Sequence, residues 1–255
     1  MLANRLQKVI SKIISPEQVA YINDRYIGQN VRILLDIIEY TKKEKKSGVL
    51  LFLDFEKAFD SLNWDFIHKC LKKMGFMDQF CTWLKVIYKH PKAFIKINGF
   101  LSETVNIGRG IRQGCPLSCL IFIICTEFMS LCLKQNDNLS GIKIPIDNDT
   151  TTELKVTQYA DDTCLFLKDL DQVPNSINIV NTFSNVSGLF LNLAKTEGLC
   201  IGSIANVHPV NDSIAWPTTP IRYLGIHVGL NNIYFLAFSQ QFYNYIKSLR
   251  YIFKP

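Results

Sequence analysis

The sequence has no Cys-x-x-Cys pair among its eight cysteines. Cys115 and Cys119 would need two further ligands to hold zinc, and no His or Cys cluster supplies them, which excludes a zinc module as the organising element. Most of the cysteines lie in apolar periodic segments, where an unpaired thiol behaves as a small hydrophobe. Reduced core thiols in an intracellular protein, nuclear or cytoplasmic, are the expectation. Met1-Leu2-Ala3-Asn4-Arg5 carries no secretory apolar region. The longest apolar run, Leu120 to Cys125, stops at Thr126-Glu127 and is too short to span a bilayer, so no membrane partner is expected. No repeat, low-complexity tract or linker divides the chain.

What is present is a chain of 255 residues, enough for one large domain or one and a half ordinary ones with a substantial core. Its apolar share of 48% is that of a globular protein and excludes disorder. The net charge of +6 is compatible with a nucleic-acid partner and identifies none.

Leu2, Leu6, Val9, Ile10 and Ile13 recur at helical spacing, and Ser15-Pro16 ends that helix. Leu34, Leu35 and Ile38 mark a second helix that runs out through Lys42-Lys43-Glu44-Lys45-Lys46 to Gly48. That run reads as a solvated helix end whose cations suit the dipole, or as a phosphate contact. Ile67, Cys70, Leu71 and Met74 predict a helix capped by Asn63 and stopped at Gly75; Phe80, Trp83, Leu84 and Ile87 predict another, broken at Pro91. Lys92 to Val105 reads as a hairpin turning at Asn98-Gly99. Leu117 to Leu133 reads as a buried helix, and a helix from about Asn175 to Ser187 stops at Gly188 before a short strand. This order implies an α+β fold, a sheet with helices packed on one face.

Tyr159-Ala160-Asp161-Asp162 stands between Val156 and the apolar run Cys164-Leu165-Phe166-Leu167, the pattern of two strands meeting at a tight turn. Adjacent carboxylates repel and raise each other's pKa unless a cation neutralises them. Asp is also an ordinary solvated turn residue. A third acid bears on the choice: Val49-Leu50-Leu51-Phe52-Leu53 is a buried-strand pattern that delivers Asp54 at its exit. Three carboxylates around two Mg²⁺ ions, roughly 3.5–4 Å apart, would make a site for in-line displacement at phosphorus.

Five motifs occur in order: Leu53 to Ser61, Gly110-Ile111-Arg112-Gln113-Gly114-Cys115-Pro116-Leu117-Ser118, Tyr159 to Asp162, Gly188 to Asn192 with Lys195-Thr196-Glu197, and Tyr223-Leu224-Gly225-Ile226. Together they resemble the reverse transcriptase of non-LTR (LINE-type) retrotransposons, from about Leu2 to about Gly225. The resemblance implies a right-hand polymerase palm: a ferredoxin-like antiparallel sheet with helices on one face, the acids on the open face, and partial fingers. Residues 1–47 would be a partial fingers-like helical segment. Residues 48–226 would be the palm, with a fingers-like insert around 62–107. Residues 227–255 would be a divergent tail without a thumb.

The implied chemistry is RNA-directed DNA synthesis from a primer on an RNA or DNA template with deoxynucleoside triphosphates. Asp54, Asp161 and Asp162 would hold two Mg²⁺ ions, with Mn²⁺ as the substitute ion. Phe59 would pack under the incoming sugar and clash with a 2′-hydroxyl, or else be a core residue. Gln113 would contact the nucleotide, and Lys195 would stand near the leaving pyrophosphate. Arg109 and Arg112 would face phosphates or template, or be plain exposed cations of a turn. Tyr223, Leu224 and Gly225 would hold the primer end, or form a plain apolar strand. Asn23 to Asn30, with Arg25, resembles a template-side segment. Asp24 stands where the family usually has Gly, and Cys119 where a second Pro is common. The Arg-Gln-Gly-Cys-Pro-Leu-Ser loop disfavours a repair or replicative polymerase. No segment resembles the family's triphosphate-binding Trp-Arg-Pro motif or its thumb, nor an endonuclease or zinc knuckle. The isolated chain is therefore expected to be inactive or feeble, the alternative being an inert remnant that at most binds nucleic acid weakly.

Overall fold

Val49-Leu50-Leu51-Phe52-Leu53 is apolar without alternation because the strand it forms is buried on both faces. The computed structural model describes residues 1–89, 91–146, 149–209, 213–229 and the backbone of 234–235. Helices α1 (Leu2–Ile13) and α2 (Ile27–Lys43) precede that strand, β1 (Ser47–Leu53). Next come α3 (Ala58–Ser61), α4 (Trp64–Lys73) and α5 (Asp78–Ile87). The short strands β2 (Lys92–Ala93), β3 (Lys96–Ile97), β4 (Phe100–Leu101) and β5 (Val105–Asn106) lead into α6 (Pro116–Gln135). Then follow β6 (Ile142–Pro145), β7 (Thr151–Leu154), β8 (Val156–Tyr159), β9 (Asp162–Leu167) and α7 (Gln172–Ser187). A 3₁₀ turn (Leu193–Lys195), β10 (Glu197–Gly202), β11 (Ile221–Tyr223), β12 (Ile226–Val228) and β13 (Tyr234–Phe235) complete the described elements.

The central sheet has the order β10-β1-β9-β8, antiparallel throughout. Helices α3 to α6 connect β1 to β8, and α7 connects β9 to β10, so the chain follows a β-α-β-β-α-β path. Odd-numbered Val49, Leu51 and Leu53 pack with residues of α1, α4, α6 and α7. Even-numbered Leu50 and Phe52 pack with Val31, Leu34 and Ile37 of α2 and with Ile221, Tyr223, Ile226 and Val228 of the β11–β12 hairpin. The expectation of helices on one face and an open second face is thus corrected. The second face is covered as well, because its strands carry apolar side chains that water cannot solvate.

Local signals act as the sequence predicts. The Asn63 side chain accepts from the backbone N–H of Asp65 (2.8 Å) and Phe66 (3.2 Å), and Gly188 ends α7 in the left-handed conformation. Lys92 to Asn106 forms two nested ribbons, β2 with β5 and β3 with β4, turning at Asn98 and Gly99, both with positive φ. The ribbon pair β6–β7 has no counterpart among the expected elements.

Helix α6 is longer than its apolar run. It tolerates Thr126, Glu127 and Ser130 in buried positions, and its most apolar window has a mean hydropathy of 2.0. By length and composition it is able to cross a membrane, but 72% of that window is buried inside the fold. It is the central helix of the larger core. Cys70, Cys81, Cys125, Cys164 and Cys200 are buried free thiols, as expected of core residues. Most of the expected tail at 227–255 lies outside the described residues.

Candidate active site

The first acid is delivered by register. In the antiparallel pairing of β1 with β9, the last pair is Leu53 with Thr163, and Asp54 and Asp162 are the next residue on each strand at that end. Residues paired across such strands have Cα atoms about 4.5–5.5 Å apart. Tyr159 pairs with Asp162, leaving Ala160 and Asp161 as a two-residue turn. Alternation places Asp54 with Leu50 and Phe52, and Asp162 with Cys164 and Phe166, on the face covered by α2 and the β11–β12 hairpin.

Electrostatics report the proximity. The Asp162 carboxyl is pushed up to about 6, first by desolvation and then by the like charges of Asp161 and Asp54. Asp161 is also raised, by desolvation first; its own backbone hydrogen bond opposes this and Asp54 adds to it. Both side chains still reach solvent. They are crowded by neighbouring atoms rather than sealed from water, so the like-charge contribution speaks most directly to the geometry. Tyr21, with positive φ, is pushed up to about 12, mainly by burial and by Cys119, with Asp161 and Tyr159 adding. It therefore sits beside the turn, a neighbour the motifs did not name.

The donor set suits Mg²⁺, which takes a few carboxylates and completes its shell with water and phosphate. The acids share an edge without closing into a ligand cluster. Among the described residues no group of three or more His, Cys, Asp or Glu side chains stands together closely enough to hold a metal ion. Three like charges repel unless a cation draws them together.

The turn is anchored from the N-terminal segment. Gln18 and Asn30 are fully buried. The Gln18 side chain bonds the backbone of Ala160, and Asn30 Nδ2 donates to the Gln158 carbonyl at 2.8 Å. Neither residue belongs to the five motifs. Asn30 closes the Asn23–Asn30 segment, and the signal for Gln18 was a polar amide in an apolar neighbourhood, next to Val19-Ala20.

The Gly110–Ser118 loop is strapped to α3. Gly110 N–H donates to Leu62 O (2.8 Å), Ile111 N–H to Phe59 O (2.7 Å), and Trp64 Nε1 to Gly110 O (2.7 Å). Gly110 has φ +88°, and a Cβ there would lie 2.5 Å from the Asp60 carbonyl oxygen, so only glycine fits this contact. The strap carries Gln113 to Asp60, Nε2 donating to Oδ2 at 3.4 Å. The Phe59 ring is half-buried and stacks on Phe122 with centroids 4.5 Å apart and planes 8° apart. Core support and a partly open ring coexist there. Arg109 and Arg112 are exposed on the same loop.

Lys195 is exposed in the 3₁₀ turn that borders β1 on its other side. Asn192 N–H donates to Asp54 O (2.8 Å), and Asp54 N–H approaches the Thr196 hydroxyl at 3.5 Å. Tyr223 is buried, its ring 4.9 Å from that of Phe52. Burial raises its phenol, with Cys164 and Asp162 adding. Any outward contact therefore falls to the turn residues Leu224 (φ +48°) and Gly225 (φ +78°). Arg25 is held by backbone carbonyls. Its Nη1 donates to Ser15 O (2.6 Å) and Gln18 O (2.7 Å), and its Nη2 to Ile14 O (3.0 Å) and Ser11 O (3.2 Å). The guanidinium satisfies the carbonyls left open where α1 ends.

A family model described as reverse transcriptase (RNA-dependent DNA polymerase) matches residues 1–228. The chain is 30% identical over 227 residues to the transposon TX1 uncharacterized 149 kDa protein of Xenopus laevis, covering 88% of this chain and 17% of that protein. It is 26% identical over 249 residues to the retrovirus-related Pol polyprotein from type-1 retrotransposable element R2 of Popillia japonica, covering 91% of this chain and 33% of that one. It thus spans a third or less of either relative. Among solved structures, apo telomerase from Candida tropicalis truncated from its C-terminal domain matches with a TM-score of 0.59 at 10% identity, over 91% of this chain and 44% of that one. Telomerase from the same organism with a fragment of telomeric RNA matches with a TM-score of 0.59 at 13% identity, over 92% and 37%. At such identities the likeness is one of fold.

Proposed function

The chain belongs to the reverse transcriptase family, with relatives among non-LTR retrotransposon polyproteins, and on that premise we propose that it extends a primer 3′-hydroxyl with deoxynucleotides by two-metal transfer. The observation that carries this reading is the shared edge. Asp54 is one register step past the Leu53–Thr163 pair, and the Asp161–Asp162 turn adjoins it closely enough to feel its charge. The fold is then a right-hand polymerase palm with a ferredoxin-like sheet, residues 1–47 and the 62–107 insert serving as partial fingers.

Asp54, Asp161 and Asp162 would hold two Mg²⁺ ions, with Mn²⁺ as substitute, and bound ions supply charge neutralisation at the primer oxygen and the triphosphate. Phe59, backed by Phe122, would offer its open face to the sugar and exclude a 2′-hydroxyl. Gln113, held beside Asp60, would orient the nucleotide. Arg109 and Arg112 would meet phosphates, Lys195 would stabilise charge on the pyrophosphate side, and the Leu224-Gly225 turn would bear on the primer end. Template, primer and deoxynucleoside triphosphates are the partners this assigns.

Primer extension tests it, with RNA against DNA template in Mg²⁺. The experiment uses the chain itself and the same segment grafted into the matching region of an R2 polyprotein. Extension on RNA is expected from the graft and is abolished by Asp161→Asn, with little or none from the chain alone. A folded graft that extends neither template sinks the catalytic reading and leaves nucleic-acid binding as what the fold offers.

A further inference from the structure

The five motifs account for the acids but not for what aims them. Ala160 opens the two-residue turn with φ +57°, a conformation that costs a residue with a Cβ and persists only where its surroundings impose it. Among the surroundings is one buried side chain that bonds it directly. Gln18 Oε1 accepts from Ala160 N–H at 3.0 Å, and its Nε2 donates to Ala160 O at 3.3 Å, so one amide spans both backbone polar atoms of that residue. The same oxygen accepts from Ala20 N–H at 3.0 Å, which fixes the amide's own orientation.

The segment bearing Gln18 is itself bolted down. Val19 N–H donates to Gln158 O (3.1 Å) and Gln158 N–H to Glu17 O (2.8 Å), a short parallel bridge alongside β8. Arg25 holds the Gln18 carbonyl. Ser15 bonds buried Glu127 of α6 through both its N–H and its hydroxyl, and Glu17 pairs with Lys134 at 2.8 Å. The turn is therefore tied to the central helix through Gln18.

We propose that Gln18 is a positioning residue for the Asp161–Asp162 turn, its amide holding Ala160 left-handed so that both carboxylates face Asp54. This rests on the reading of that turn as the catalytic edge. A merely structural amide would cost stability when removed and leave the acids' aim unchanged.

The test uses the full 255-residue chain with Gln18→Ala and Gln18→Met, the second filling the space while removing all three amide bonds. Ala160→Gly is made alone and in each background. Mn²⁺ affinity is read by electron paramagnetic resonance, and exchange of the Asp161 and Asp162 amides by hydrogen–deuterium exchange, each against the melting temperature. Loss of Gln18 should weaken Mn²⁺ binding about 10–100-fold, as loss of an outer partner of a metal site does, and speed exchange at the turn beyond any change in global stability. Ala160→Gly should restore most of the lost affinity, because glycine adopts the left-handed backbone without help. Unchanged Mn²⁺ affinity in a folded Gln18→Met variant, or a further loss on adding Ala160→Gly, overturns the proposal. Should the unaltered chain bind no Mn²⁺, the metal reading fails. The clamp then stands or falls on whether turn exchange accelerates and is suppressed by Ala160→Gly.

Discussion

The two faces of the central sheet are equally apolar in sequence and differ in what closes them. Val49, Leu51 and Leu53 meet α1, α4, α6 and α7, with the twenty-residue α6 largely buried among them. Leu50 and Phe52 meet α2 and a hairpin of two three-residue strands. Asp54 and Asp162 emerge at the end of this second face, where Tyr223 packs on Phe52 and feels the Asp162 charge. The difference teaches a division of labour. Rigidity comes from the helical face, and charge is presented at the rim of the other. Parity keeps them apart, because a one-residue slip of β1 would turn Asp54 into the helical core.

The largest effect should come from the helical face. Phe122 is fully buried and supports Phe59. Phe122→Ala should cost about 3–5 kcal/mol, much of the roughly 5–15 kcal/mol that a domain has in total. Urea unfolding measures it. A loss below about 1 kcal/mol would mean the core relaxes around the gap and the division of labour is weaker than drawn.

Phe59→Ala probes the boundary between the faces at smaller cost. With the ring gone, the wall proposed to exclude a 2′-hydroxyl goes too. Ribonucleotide use relative to deoxynucleotide use should rise on the order of tenfold, the scale of a steric discrimination, with turnover less affected. Competitive incorporation assays read this directly. Unchanged selectivity in a folded, active variant would assign Phe59 to the core alone.

The smallest effect belongs to the charged rim. The Asp162 carboxyl is raised from 3.8 to about 6, so the folded edge favours its neutral form. The stability linked to that proton is present below the ordinary value and is lost as pH rises through about 6. Asp162→Asn stays neutral throughout. It should match the unaltered protein at pH about 4 and, without divalent ions, melt about 1–3 °C higher at pH 8, a modest gain because solvent screens an exposed edge. The same variant should lose extension. Superimposable melting curves at both pH values would show that the rim stores no repulsion.

Much of this was legible residue by residue. The Asn63 cap, the Gly188 stop, the Asn98-Gly99 turn and the exit of β1 at Asp54 each depend on backbone preferences within a few residues. The turn at Asp161-Asp162 and the loop at Gly110 were legible as well, the first from its flanking apolar runs and the second from its glycines. The four carbonyl acceptors of Arg25 were not legible, because they are an outcome of how α1 ends against the following loop, and an arginine in sequence carries no mark of that.

By itself the sequence determined which segments are helix or strand, which acids lie at turns, and that the chain carries reverse transcriptase motifs. Tertiary structure alone decided that the second face of the sheet is covered, that Tyr223 points into it, and that Gln18 reaches a backbone 142 residues away. Periodicity and capping are short-range, since they arise from torsions and hydrogen bonds among near neighbours. The partner of a buried amide is chosen by whichever unsatisfied group the packed fold leaves within about 3 Å.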